Sequence, residues 1–125
     1  MKVIGFIGGR YEEILAANLA VRDLFTRRGF NLIESKYMPY EVNIPEDSVM
    51  QVARIDDAEA VNRILENDGI VFKVGQMNYL YAHLPDFVQN FDGPSISAYS
   101  PEDIGFKVYC TLDAMYFGNE PEDRY

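Results

Sequence analysis

The sequence predicts an α/β protein: a doubly wound parallel sheet of about four strands with helices on both faces. Two observations carry this. Short apolar runs alternate four times with longer stretches whose apolar residues recur at helical spacing. A strand–helix order of that kind is satisfied by parallel strands joined by right-handed crossovers, with helices on both sides. The run Ile70–Val74 is β-branched and apolar on both of its faces, as strands covered on two sides are.

The elements follow in order. Lys2–Ile7 reads as a buried strand that Gly8 and Gly9 end. From Glu12 to Arg28 the pattern is helical, with Ile14, Ala17, Val21, Leu24 and Phe25 on one face. Arg27 and Arg28 suit the negative end of that helix, and Gly29 is its stop. Phe30–Tyr37 is a second strand, closed by Pro39. Residues 40–55 read as a long loop with one helical turn over Val49–Ala53, because Pro45 and Glu46-Asp47 break regular structure. Asp56 and Glu59 have capping-box spacing and start a second helix, with Val61, Ile64 and Leu65 inward and Gly69 at its end. After the third strand, Ile70–Val74, Met77, Leu80, Leu84, Phe87, Val88 and Phe91 repeat at helical spacing. Pro85 forces a kink or a restart there. Ser95–Tyr99 is a fourth strand. Ser100-Pro101-Glu102-Asp103 then supplies a cap, a proline at the first position and acids in the first turn of a helix carried by Ile104, Val108, Leu112 and Met115. Residues 118–125 read as a loose acidic tail.

A length of 125 residues fits one domain spanning 1–125, large enough to bury a core without staples. Cys110, a half-buried thiol on the last helix, is the single cysteine, which excludes an intrachain disulfide. His83 is the single histidine, so no metal-ligand spacing is present; neither a metal nor a cofactor is expected. The formal charge of −9, from 20 acidic and 11 basic residues, repels a phosphate backbone and argues against direct nucleic-acid binding. No apolar stretch approaches the ~18 residues that span a bilayer, and the start lacks a signal peptide's layout. The expectation is a cytoplasmic protein with no membrane contact.

Ligands of doubly wound sheets bind beyond the carboxyl ends of the strands. That directs attention to Gly8–Tyr11, Lys36–Tyr40, Gly75–Asn78 and Tyr99–Glu102. The turn after the first strand is not a P-loop, which needs G-x-x-x-x-G-K-[ST]; Gly8-Gly9 is followed by Arg10, Tyr11, Glu12 and Glu13. It is not G-x-G-x-x-G either. Glu12 and Glu13 sit in the first helical turn and occupy its positive field themselves. The turn suits a neutral or weakly charged ligand, with Tyr11 as a stacking or hydroxyl contact and Arg10 gripping a peripheral anion.

On these stretches the chain resembles the nucleoside 2-deoxyribosyltransferase-like family, which has a flavodoxin-like strand order. Phe6-Ile7-Gly8-Gly9-Arg10-Tyr11 matches its glycine-rich turn with a following aromatic residue. Glu34-Ser35-Lys36-Tyr37-Met38-Pro39 matches an acidic-x-x-Tyr-x-Pro pattern at the end of its second strand. Gln76-Met77-Asn78-Tyr79-Leu80-Tyr81-Ala82 matches a Gly-Met-Glu-x-Gly-Tyr-Ala-like run, with Asn78 where the family carries its nucleophilic Glu. The resemblance implies a nucleoside- or nucleotide-like ligand held by Gly8, Gly9, Arg10, Tyr11, Tyr37, Gln76 and Asn78. It also implies a homo-oligomer, since the family often builds its pocket across subunits; Tyr125 is the aromatic that would reach a neighbour. An amide cannot attack an anomeric carbon, so transferase activity is expected to be weak or lost, and no catalytic residue is assigned. Two alternatives stand beside this. One is a small acidic interaction protein, of a kind common in viruses, that binds and inhibits a protein partner. The other is an N-glycosidase or deoxyribosyltransferase that draws its carboxylate from Glu34 or Glu102.

Overall fold

The computed structural model describes residues 2–76 and 83–118. The elements are β1 (Val3–Ile7), α1 (Tyr11–Arg27), β2 (Asn31–Ser35), β3 (Ser48–Val52), α2 (Ala58–Glu66), β4 (Gly69–Gln76), α3 (Asp86–Gln89), β5 (Ser95–Ala98) and α4 (Pro101–Phe117). All strand pairs are parallel, in the order β2-β3-β1-β4-β5. This is a doubly wound, flavodoxin-like α/β sheet with one strand more than the sequence pattern predicts.

The extra strand is β3, which falls where the sequence reads as a loop with a helical turn. It is buried at all five positions and lies between β2 and β1. Two of its residues, Ser48 and Gln51, are polar, and Pro45-Glu46-Asp47 stands just before it, so neither periodicity nor composition marks it. Parallel neighbours ordinarily need a helical crossover. Here residues 36–47 cross without one, and the sheet holds them by other means. Met38 is in the core, with Val42 and Ile44 packed against it. Arg63 donates to the Met38 carbonyl at 3.2 Å and stacks 4.3 Å over the Tyr40 ring, while Lys2 Nζ donates to the Ile44 carbonyl at 3.2 Å.

Side chains alternate across each strand and so divide the core in two. Ile4, Phe6, Val49, Phe72, Val74 and Ile96 face α1 and α4, whose Val21, Leu24, Ile104, Val108 and Leu112 cover them. Val3, Ile7, Met50, Val52 and Val71 face the opposite layer, formed by α2, α3 and the 36–47 crossing through Val61, Ile64, Val88 and Met38. The edge strands β2 and β5 are only partly buried.

Several local expectations shift by a residue or a turn. The cap of α2 is Asp57, whose carboxylate accepts the Ala60 N–H at 2.9 Å; Asp56 instead accepts from Arg54 at 2.9 Å. Leu65 and Met115, expected inward, are exposed. Gly69 does not stop α2 but opens β4, where a side chain would strike the Ile64 carbonyl at 2.5 Å. Ser100 does cap α4, accepting the Asp103 N–H at 3.1 Å, and α3 begins directly after Pro85.

The end of α4 carries a test of burial. Tyr116 packs edge-on against Phe25, and its hydroxyl is buried without a hydrogen-bond partner. Burial, with the Asp68 carboxylate adding, holds its phenol protonated well above the usual tyrosine range. The folded state keeps this proton when the unfolded chain, with a tyrosine pKa of about 10, releases it. The contribution is therefore intact below about pH 10 and drains away as pH rises through and beyond that value. Urea midpoints at pH 8 and pH 10.5 should fall further for the wild type than for Tyr116→Phe. Equal falls would contradict the burial of this hydroxyl.

Candidate functional site

Connections leave the carboxyl ends of neighbouring strands in opposite directions around β1. The β1 connection enters α1 on one face, whereas those of β3 and β4 lead to the other. Such divergence opens a crevice. A cavity of about 160 Å³ lies there, between Ile7 and Gly8 of the β1 end, Ala53, Arg54 and Ile55 of the β3 end, and Phe87.

The glycine turn forms one wall. Gly8 and Gly9 both adopt left-handed backbone, at φ 80° and 67°. A side chain on Gly9 would come within 2.8 Å of the Val74 carbonyl, so the turn lies flat on β4. Below it, Glu13 is buried, and its carboxylate accepts the Arg10 N–H at 2.7 Å. That bond satisfies one of the free donors at the start of α1 and stabilises the negative charge in the helix field. Glu12 points to solvent. Of the two acids, Glu13 thus has a structural role that neither spacing nor composition distinguishes.

The predicted ligand contacts divide into two groups. Gly8, Gly9 and Gln76 gather at the ends of β1 and β4: Gly75 lies against Gly9, and the Gln76 amide donates to the Tyr99 carbonyl at 3.2 Å. Tyr37 belongs to the β2 end, three inter-strand spacings or roughly 14 Å from β4. Its ring has Lys36 Nζ at 5.4 Å and the Arg54 guanidinium at 5.9 Å. Arg10 and Tyr11 open α1 as exposed residues. Asn78 lies outside the described residues, as do Met77, Tyr79, Tyr81 and Tyr125.

Arg54 is the residue that sequence reasoning misses, because it depends on recognising β3. With it, three neighbouring strands each deliver a cation just past their carboxyl ends: Lys36 after β2, Arg54 after β3 and Arg10 after β1. Backbone bonds from Ala53 N to the Ser35 carbonyl (2.8 Å) and from Arg54 N to the Lys36 carbonyl (3.0 Å) hold the first two ends together. Arg54 is also paired with Asp56 at 2.9 Å, and the row stands on a chain of net charge −9. Glu34, one candidate carboxylate, is engaged by Arg22, whose Nε donates to it at 2.9 Å; the other, Glu102, lies in the first turn of α4.

His83 is exposed and Cys110 half-buried. Among the described residues no group of three or more His, Cys, Asp or Glu side chains could hold a metal ion. Nor is any described helix long and apolar enough to cross a membrane.

Fold and site together define a doubly wound α/β protein with a crevice at its strand ends, lined by Arg54, and with a cation following each of three neighbouring strands. Comparison with family models, curated proteins and solved structures finds no match to the chain.

Proposed function

We propose that the protein binds a nucleoside or nucleotide derivative across the strand ends, and that it binds rather than transfers. The observation that carries this reading is the row of Lys36, Arg54 and Arg10 after three adjacent strands of an acidic chain. Beside the row stand two exposed rings, Tyr11 and Tyr37, suited to a base or sugar face. That it binds rather than transfers rests on the resemblance, which puts the neutral Asn78 where relatives keep a carboxylate, and on the engagement of Glu34, one of the two alternative carboxylates, by Arg22.

The test is calorimetric titration of the full chain with adenosine and with adenosine 5′-monophosphate. The monophosphate should bind more tightly. The double variant Lys36→Ala/Arg54→Ala should erase that preference, since each charge-assisted hydrogen bond lost costs on the order of 1.5 kcal/mol, about tenfold in affinity. No heat and no thermal shift across a panel of nucleosides and nucleotides would end this reading. A protein-binding role is the second reading, favoured by a groove of about 500 Å³ between α1 and α4 where Phe106 is 69% exposed. Recovery of one stoichiometric protein partner, with no nucleotide response, would favour it.

A further inference from the structure

A second cavity, sharing Ala53 with the strand-end crevice, lies between α1 and the β2–β3 pair. Its floor holds two polar groups that the fold does not use. Gln51, on β3 beside Glu34 of β2, is 4% exposed, and its Oε1 is buried with no hydrogen-bond partner. Asn18 Oδ1, on the facing side of α1, is likewise buried and unpartnered. Nearly all buried polar atoms in proteins are paired, so two orphaned acceptors in one cavity mark a place that favours a donor. The cavity measures about 330 Å³, within the ~300–1,000 Å³ range of small-molecule sites.

The surroundings restrict the donor. Arg22 and Lys36 stand at the rim with Glu34, and Glu34 is already bonded to Arg22. The residual charge is positive, which disfavours an ammonium or guanidinium ligand and leaves a neutral N–H donor. Leu15 and Leu19, one turn apart on α1, and Ala53 supply aliphatic walls suited to a flat ring. We propose that this groove binds a neutral planar heterocycle through an exocyclic amino group, whose N–H bonds are donated to Gln51 Oε1 and Asn18 Oδ1. In DNA readout, too, an Asn or Gln amide oxygen accepts from the amino group of adenine. Whether the ring arrives as a free base or as part of a nucleoside, the recognised edge is the same.

Titration of the isotopically labelled full chain, observed at the Asn18 and Gln51 side-chain amides, tests this without any variant. Adenine and cytosine should move those signals. Hypoxanthine and uracil, which carry a carbonyl in place of the amino group, should bind at least tenfold more weakly. Adenosine against adenine separates a nucleoside from a free base. Gln51→Leu keeps the bulk and removes the orphaned polar head; it should raise the Tm of the unliganded protein and weaken adenine binding at least tenfold. Failure here is distinguishable from failure of the strand-end site, which is read from the preference for adenosine 5′-monophosphate over adenosine and not from the Asn18 and Gln51 amides. The proposal is overturned if no base perturbs the two amides at millimolar concentration, if carbonyl bases bind as well as amino bases, or if Gln51→Leu binds adenine like the wild type.

Discussion

Gly9→Ala is expected to destabilise the protein by about 3 kcal/mol and to lower its Tm by roughly 10 °C. Two costs combine. The backbone at Gly9 sits at φ 67°, a left-handed conformation that costs an L-residue roughly 1–2 kcal/mol. The added methyl group would also approach the Val74 carbonyl to 2.8 Å, and that oxygen belongs to a strand paired on both sides. Neither partner yields easily, so overpacking adds roughly 1–3 kcal/mol. Gly29→Ala is the control: its φ is 83°, but nothing lies within 4 Å of the new atom, so only the conformational cost applies. Thermal unfolding that shows the two variants equally mild would contradict the flat seating of this turn on β4. The prediction also bears on function. Seating on β4 alone requires a glycine here, so the Gly8-Gly9 pair is not in itself a mark of a phosphate site.

That lesson extends to what is legible in the chain. Strands β1, β2, β4 and β5 announce themselves as short apolar runs, and helices α1, α2 and α4 by their helical period and by caps such as Ser100. β3 does not. Like β1 it is five residues long and buried throughout, but Ser48 and Gln51 interrupt the apolar run that marks β1. Its burial is decided by β2 and β1 on either side, which is tertiary information. The error propagates to the site. Once residues 40–55 read as a loop, Arg54 has no address, and the row Lys36–Arg54–Arg10 cannot be seen. Gln51 is lost in the same way. It is unremarkable as a loop residue, and only its position beneath α1, beside Asn18, makes its amide notable. Tyr11, Tyr37 and Gln76 are readable because they lie at or just past the ends of strands that patterning finds, yet their separation across the sheet is not, since it depends on strand order.

Phe25→Ala should be the most damaging single substitution among those considered, at about 4 kcal/mol. Phe25 has no exposed surface and holds three rings together: Tyr116 at 4.9 Å, and Phe30 and Phe117 each at 5.8 Å between centroids. These rings come from the end of α1, the start of β2 and the end of α4, so the cavity left by truncation opens where three elements meet. Arg28 ties the same corner, donating to the Asp113 carboxylate at 2.6 Å and lying 4.7 Å over Phe117. Collapse around the cavity would have to break that anchor, which keeps the cost toward the upper part of the Phe→Ala range. Phe25→Leu retains most of the volume and should lose about 1 kcal/mol. Urea midpoints measure both, and a loss under 1 kcal/mol for the alanine variant would refute the cluster's role. The corner lies at the end of the sheet where β2 begins, opposite the strand-end crevice. Below its own unfolding transition Phe25→Ala should therefore bind adenosine 5′-monophosphate as the wild type does, whereas Lys36→Ala/Arg54→Ala should unfold like the wild type and bind poorly. That crossed pattern would assign stability to one end of the sheet and recognition to the other.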